Sequence, residues 1–173
     1  MPELDNQRQA DEELIGMSWF FAGEGYINIS IPNADKPFYP SLRVAIATTE
    51  KLWADLYHRR FGGFTWVQKP TKLNHKFVFG WRVTGKEAEA FLEAIKPHLK
   101  GEKLVQLEHA LRFRNDTKRF YRKGGKINTQ TELWAQYRTE MKNIRLAAAE
   151  TNRKDAELTL RCDSPNLEAI PVT

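Results

Sequence analysis

The sequence predicts an α+β domain: an αββαββα core whose antiparallel saddle-shaped sheet is covered by helices on one face. Two observations carry this. Segments that alternate apolar and polar residues, the period of a half-buried strand, come in consecutive pairs. Segments with helical apolar spacing separate and follow those pairs, giving the order α-β-β-α-β-β-α-α.

The elements follow in chain order. Residues 1–12 are polar and acidic and read as an N-terminal tail, with the core spanning 13–113. Leu14 to Ala22 forms a short apolar helix behind Asp11, Glu12 and Glu13, acids that suit a helix N-terminus. Tyr26 to Ile31 alternates, isoleucines on one side and Tyr26, Asn28 and Ser30 on the other. After the turn-rich IPNADKPFYP, Ser41 to Thr48 alternates again, with Leu42, Val44 and Ile46 inward and Arg43 outward. Thr48 or Thr49 caps the next helix, whose stripe is Leu52, Trp53, Leu56 and Tyr57, and Gly62-Gly63 stops it. FTWVQK and KFVFGWRVTG make the second hairpin around PTKLNH, with Phe77, Phe79, Trp81 and Val83 on one face. KEAEAFLEAI is a helix closed by Pro97, and GEKLVQLEHALRF another, with Leu104, Leu107 and Leu111 at helical spacing. Residues 114–128 read as a basic loop, 129–150 as a capped helix and 151–173 as a loosely held tail.

Composition narrows the class. At 173 residues, with 41% hydrophobic content and five tryptophans, the chain can bury a real core. A single cysteine, Cys162, excludes an internal disulfide framework and a Cys-based zinc site. No apolar run is long enough for a bilayer, and no signal or transit pattern opens the chain, so an intracellular, soluble protein without a membrane partner is expected. Charge is uneven. Residues 1–25 hold six acids and one base, whereas residues 40–127 hold nineteen Lys or Arg against eight acids. So basic a middle region attracts polyanions through phosphate contacts; a well-solvated surface is the plain alternative. Arg112 to Lys126, with seven bases and one acid, is read as a phosphate clamp that includes Arg119 and Lys123. His58, His75, His98 and His109 show no metal-ligand spacing, and His58 and His109 read as packing or helix-surface residues.

One stretch asks for more than packing. In WFFAGEGYINIS an apolar helix runs into Gly23-Glu24-Gly25 and then directly into a strand. Glycines on both sides of Glu24 let the chain turn sharply and let another backbone or a phosphate approach. A hard oxygen ligand at the edge of a basic groove suits Mg²⁺ bridging to a DNA phosphate; a mere turn residue is the competing reading.

MSWFFAGEGYINI resembles the signature helix of the LAGLIDADG homing endonucleases, in a variant ending Gly-Glu-Gly. The resemblance continues through SLRVAIATTEKLWADLYHRRFGG and WRVTGKEAEAFLEAIKPHLKGEK, covering roughly residues 13–113 in the family's element order. It implies a site-specific endonuclease that binds double-stranded DNA as a homodimer, uses Mg²⁺ shared at the dimer axis (Mn²⁺ or Ca²⁺ substituting in binding), and needs no small-molecule cofactor. Carried residue by residue, it gives Glu24 as the metal ligand and Lys103 and Thr48 as members of the cleavage-site solvent network. It makes Tyr26, Asn28, Ser30, Arg43, Trp66, Gln68, Lys72, Asn74, Lys76 and Arg82 the outward residues that read base edges. It puts Met17, Ser18, Phe20 and Phe21 at the dimer interface. The sequence departs from the family at Ala22, which replaces the motif's first acid, and at Ser18-Trp19, which replaces a small pair. A non-cleaving DNA- or RNA-binding protein on the same scaffold is the alternative.

Overall fold

Strand alternation resolves into a four-stranded antiparallel sheet, in a computed structural model that describes residues 2–30, 40–70, 72, 74–122 and 131–162. The strands are β1 (Gly25–Ser30), β2 (Ser41–Thr48), β3 (Phe64–Gln68) and β4 (Val78–Thr84), in the order β1-β2-β4-β3. Each hairpin therefore contributes one central and one edge strand. Pairing of Asn28 with Arg43, Ala45 with Arg82 and Trp66 with Gly80 fixes the register. Because side chains alternate, these residues share one face.

Ile27, Ile29, Leu42, Val44, Ile46, Trp81 and Val83 point the other way and are buried. Covering them are α1 (Pro2–Glu24), α2 (Lys51–Phe61) and α3 (Gly85–Ile95). Their shared centre is aromatic: Phe91 meets Phe21, Tyr57 and Trp81 at ring-centroid distances of 5.0, 5.7 and 5.1 Å. Two polar atoms in this cluster are satisfied by backbone. The Tyr57 hydroxyl donates to the Met17 carbonyl at 2.5 Å, and Trp81 Nε1 donates to the Gly62 carbonyl at 2.7 Å. Burial pushes the Tyr57 phenol well above its ordinary range.

A 3₁₀ turn at Lys96–His98 leads to α4 (Gly101–Arg122), which packs against α5 (Thr131–Cys162) through Phe113, Trp134 and Tyr137. Here His109 is a packing residue, with Nε2 2.8 Å from the Tyr137 carbonyl. The Tyr137 phenol is pushed up to about 12 by burial and by its hydrogen bond to Asp116.

Several boundaries differ from the sequence expectation. The apolar spacing starts the first helix at Leu14, yet α1 begins at Pro2, and the acidic stretch assigned to a tail is helical. Arg8 pairs with Glu12 at 3.0 Å, while Arg59 and Arg60 of α2 reach Glu13 and the Ala10 carbonyl, each at 2.7 Å. The apolar stripe of α2 is rotated: Leu52 is 65% exposed, and Ala54 and Tyr57 face the core. Its N-cap is Glu50 without a side-chain cap, and Thr48 Oγ1 accepts the Glu50 N–H at 3.1 Å. Phe77 lies before β4 and is exposed.

The first part of the supposed basic loop, up to Arg122, continues α4. Arg114 and Lys118, one turn apart, both grip Glu89 on α3. Burial raises the Glu89 carboxyl, but the two cations outweigh it and hold the group below its ordinary value. The resulting stability is present above the usual glutamate range and fades as pH falls through the lowered value. Finally, α5 runs on to Cys162, through part of the stretch assigned to a loose tail. Residues 145–162 are rich in Ala, Leu, Glu, Arg and Lys and contain no Gly or Pro, so propensity sustains the helix.

Candidate nucleic-acid interface

The uncovered sheet face is assembled by register. Tyr26, Asn28 and Ser30 from β1, Arg43 from β2, Arg82 from β4, and Trp66 and Gln68 from β3 all lie on it. Asn28 donates to the Ser30 hydroxyl at 3.4 Å. Trp66 packs directly on Gly80, where an added Cβ would come within 2.1 Å of the indole. Phe64 shares this face and escaped the sequence assignment; it is 54% exposed, and the Arg82 guanidinium sits 4.6 Å from its ring centroid. Its signal was present in the alternation with Trp66 and Gln68. Lys72, Asn74 and Lys76 are exposed in the β3–β4 connection, outside the paired strands.

At one end of this face α1 delivers Glu24. The residue is exposed, and among the described residues its carboxylate has no hydrogen bond or ion pair. It occupies the C-terminal end of a helix, where the aligned carbonyls repel a negative charge. Glu24 and Gly25 join α1 to β1 with no intervening loop. Only one flanking glycine is sterically required there. A Cβ at Gly25 would come within 2.4 Å of the Phe21 carbonyl oxygen, whereas one at Gly23 would meet nothing within 4 Å.

Lys103, in the first turn of α4, reaches this junction. Its ammonium donates to the Gly25 carbonyl at 2.7 Å and lies 5.7 Å from the Phe21 ring centroid. Burial lowers its pKa; Arg145 pushes in the same direction, while Glu102 and Glu24 oppose it. Lys103 therefore gives up its proton at lower pH than a free lysine.

Glu24 also lines a cleft of about 360 Å³ together with Phe20, Thr48 and Glu50. The structure thus brings Thr48 beside Glu24, although its hydroxyl is engaged by the Glu50 N–H. Glu50 itself was missed, because at the start of a helix an acid reads simply as charge complementing the dipole. Both carboxylates are hard oxygen donors of the kind Mg²⁺ takes. Among the described residues, no group of three or more His, Cys, Asp or Glu gathers in one place.

The interface assignment on α1 requires correction. Met17, Ser18 and Phe21 are fully buried within the single chain, and Ser18 Oγ donates to the Leu14 carbonyl at 2.7 Å. Phe20 is half-buried and stacks on Trp53 at 4.2 Å. Burying positions 14, 17, 18 and 21 turns Trp19, Ala22 and Gly23 outward, and Trp19 is 70% exposed. The clamp also shrinks. Arg112 is engaged by Glu140, and Arg114 and Lys118 by Glu89, which leaves Arg119 exposed on α4. Lys123 lies outside the described residues.

No family model matches the sequence, and no curated protein matches it. Among solved structures, the homing endonuclease I-CvuI in complex with the I-CreI target and 2 mM Mg, its DNA not cleaved, aligns with a TM-score of 0.59 at 14% identity. That alignment covers 78% of this chain and 82% of the other. I-CvuI with its own target and 2 mM Ca aligns with a TM-score of 0.54 at 15% identity, covering 80% and 96%. Over most of its length the chain thus has the homing-endonuclease fold seen in I-CvuI.

Proposed function

We propose that this protein is a site-specific DNA endonuclease that hydrolyses phosphodiester bonds with a divalent metal ion, working as a homodimer. The observation that carries the reading is Glu24. An unpaired carboxylate is placed at the electrostatically unfavourable end of α1, beside Lys103 and at the edge of a sheet face bearing Arg43 and Arg82. This carboxylate makes no hydrogen bond or close ion pair among the described residues, and the helix end disfavours an acid. The I-CvuI structures hold DNA targets with Mg or Ca present, which supports duplex DNA and a divalent ion for this chain too.

Each group then has a task. Asn28 and Gln68 present amides suited to adenine, and Arg43 and Arg82 present guanidiniums suited to guanine, across strands that a major groove admits. Glu24 would hold Mg²⁺, which when bound supplies charge stabilisation and an activated water. Lys103 would place its amino group beside the reacting phosphate, and its bond to Gly25 holds the α1–β1 junction in place. With one Glu24 per chain, cutting both strands requires the partner's equivalent carboxylate. The target is then a partly palindromic duplex whose half-sites follow the protein's twofold axis. Near the end of α1, the outward Trp19, Ala22 and Gly23 would then meet the second copy.

A second reading has an observation of its own. Phe64 and Trp66 on the open face form a platform on which the unpaired bases of a single strand stack, as a non-cleaving RNA or DNA binder would use them. Incubation with a randomised duplex library and Mg²⁺, followed by sequencing of ends, separates the two. The proposal predicts enrichment of one long, partly palindromic cut site. Binding without any new ends would favour the second reading.

A further inference from the structure

A second basic feature lies past the β1 edge of the sheet. Between β1 and α5 is a cleft of about 480 Å³, lined by Tyr26, Asn28, Arg138, Thr139, Lys142 and Arg145 among others, with three cations and, among the described residues, no carboxylate in its wall. Its composition follows from the way α5 sorts its charges. Positions 138, 142 and 145 lie on one helical stripe, facing β1. Glu140 faces α4 instead, accepting from Arg112 at 3.1 Å.

The three cations are not equivalent. Arg145 fastens the helix to the sheet. Its guanidinium lies 4.4 Å from the Tyr26 ring centroid, bonds the Ile27 carbonyl, and reaches the Tyr26 hydroxyl at 3.4 Å. Arg138 and Lys142 are exposed and have no ion pair or side-chain hydrogen bond among the described residues. Tyr26 and Asn28 belong at once to this cleft and to the open sheet face, so the cleft continues that face past its β1 edge.

We infer that the cleft is a phosphate-backbone site, in which Arg138 and Lys142 take consecutive phosphates of the duplex where it leaves the sheet. Thr139 and Asn28 add neutral hydrogen-bonding groups, and Arg145 holds the two walls together as a positioning residue. The inference rests on the open face being a duplex-binding surface. It adds that the bound DNA extends beyond β1 and that α5 contributes sequence-independent affinity.

The test is a salt titration of duplex binding by the full chain and by the Arg138→Ala/Lys142→Ala variant. One duplex is long, and another is cut back to the span of the sheet. Two lost phosphate contacts lower the slope of log K against log salt by about 1.8, which is about 30-fold in affinity at ~0.15 M salt. The loss should appear for all sequences and only on the long duplex. An unchanged slope, or an equal loss on the short duplex, overturns this inference while leaving the sheet as the DNA surface. Failure of the parent protein to bind either duplex overturns both.

Discussion

Glu24→Gln leaves duplex binding essentially intact and lowers metal-dependent cleavage by about 10³-fold, the scale on which removal of one preorganised charge-stabilising group acts. The amide matches the carboxylate in shape, so the α1–β1 junction keeps its geometry. It removes the charge and with it the affinity for a hard cation. Binding survives because Glu24 has no hydrogen bond or ion pair to lose among the described residues, and because a carboxylate repels phosphate. Cleavage with Mg²⁺ and gel-shift binding with Ca²⁺, measured on the same preparations, give the two numbers. Undiminished cutting by the variant removes Glu24 from the chemistry.

The second large effect is structural and contrasts two glycines that look alike in the sequence. Gly25→Ala forces a methyl against the Phe21 backbone oxygen and ring, at 2.4 and 2.3 Å respectively. Backbone cannot give way as a flexible side chain does, so a destabilisation of about 3 kcal/mol or more is expected. The displaced junction would also weaken the Lys103 bond to the Gly25 carbonyl. Gly23→Ala meets open space within a helix and should stabilise by up to about 1 kcal/mol. Denaturant melts of the two variants read the contrast directly. Equal effects would mean that the close approach at Gly25 is not what the chain depends on.

Much of this architecture was visible in residue order. A strand period of two leaves little freedom, so the alternation of Ile27 and Ile29 with Tyr26 and Asn28 assigned both faces of β1, and β2 followed from Leu42, Val44 and Ile46. Glu24 stood out because an acid between two glycines serves neither helix nor core. Helix phase was harder. The segment around Phe20 is apolar on several sides, and only the packing of Met17 and Phe21 against Phe91 and Tyr57 shows that Trp19 points outward. Leu52 misled for the same reason: an exposed leucine is indistinguishable from a buried one until the neighbouring helix is placed. Polar helices were underestimated where tertiary ion pairs hold them, as at Glu89 with Arg114 and Lys118. The β1–α5 cleft joins residues more than a hundred positions apart, and no local pattern announces such a meeting.

Whether the uncovered sheet face grips duplex DNA is read by site-directed photo-cross-linking. A cross-linking residue placed at Asn28 on the open face, and separately at Lys86 on α3 in the covering layer, is exposed to labelled duplex and irradiated. Efficient cross-links are expected from position 28 and only background from position 86. Cross-links from position 86 with none from position 28 would contradict it.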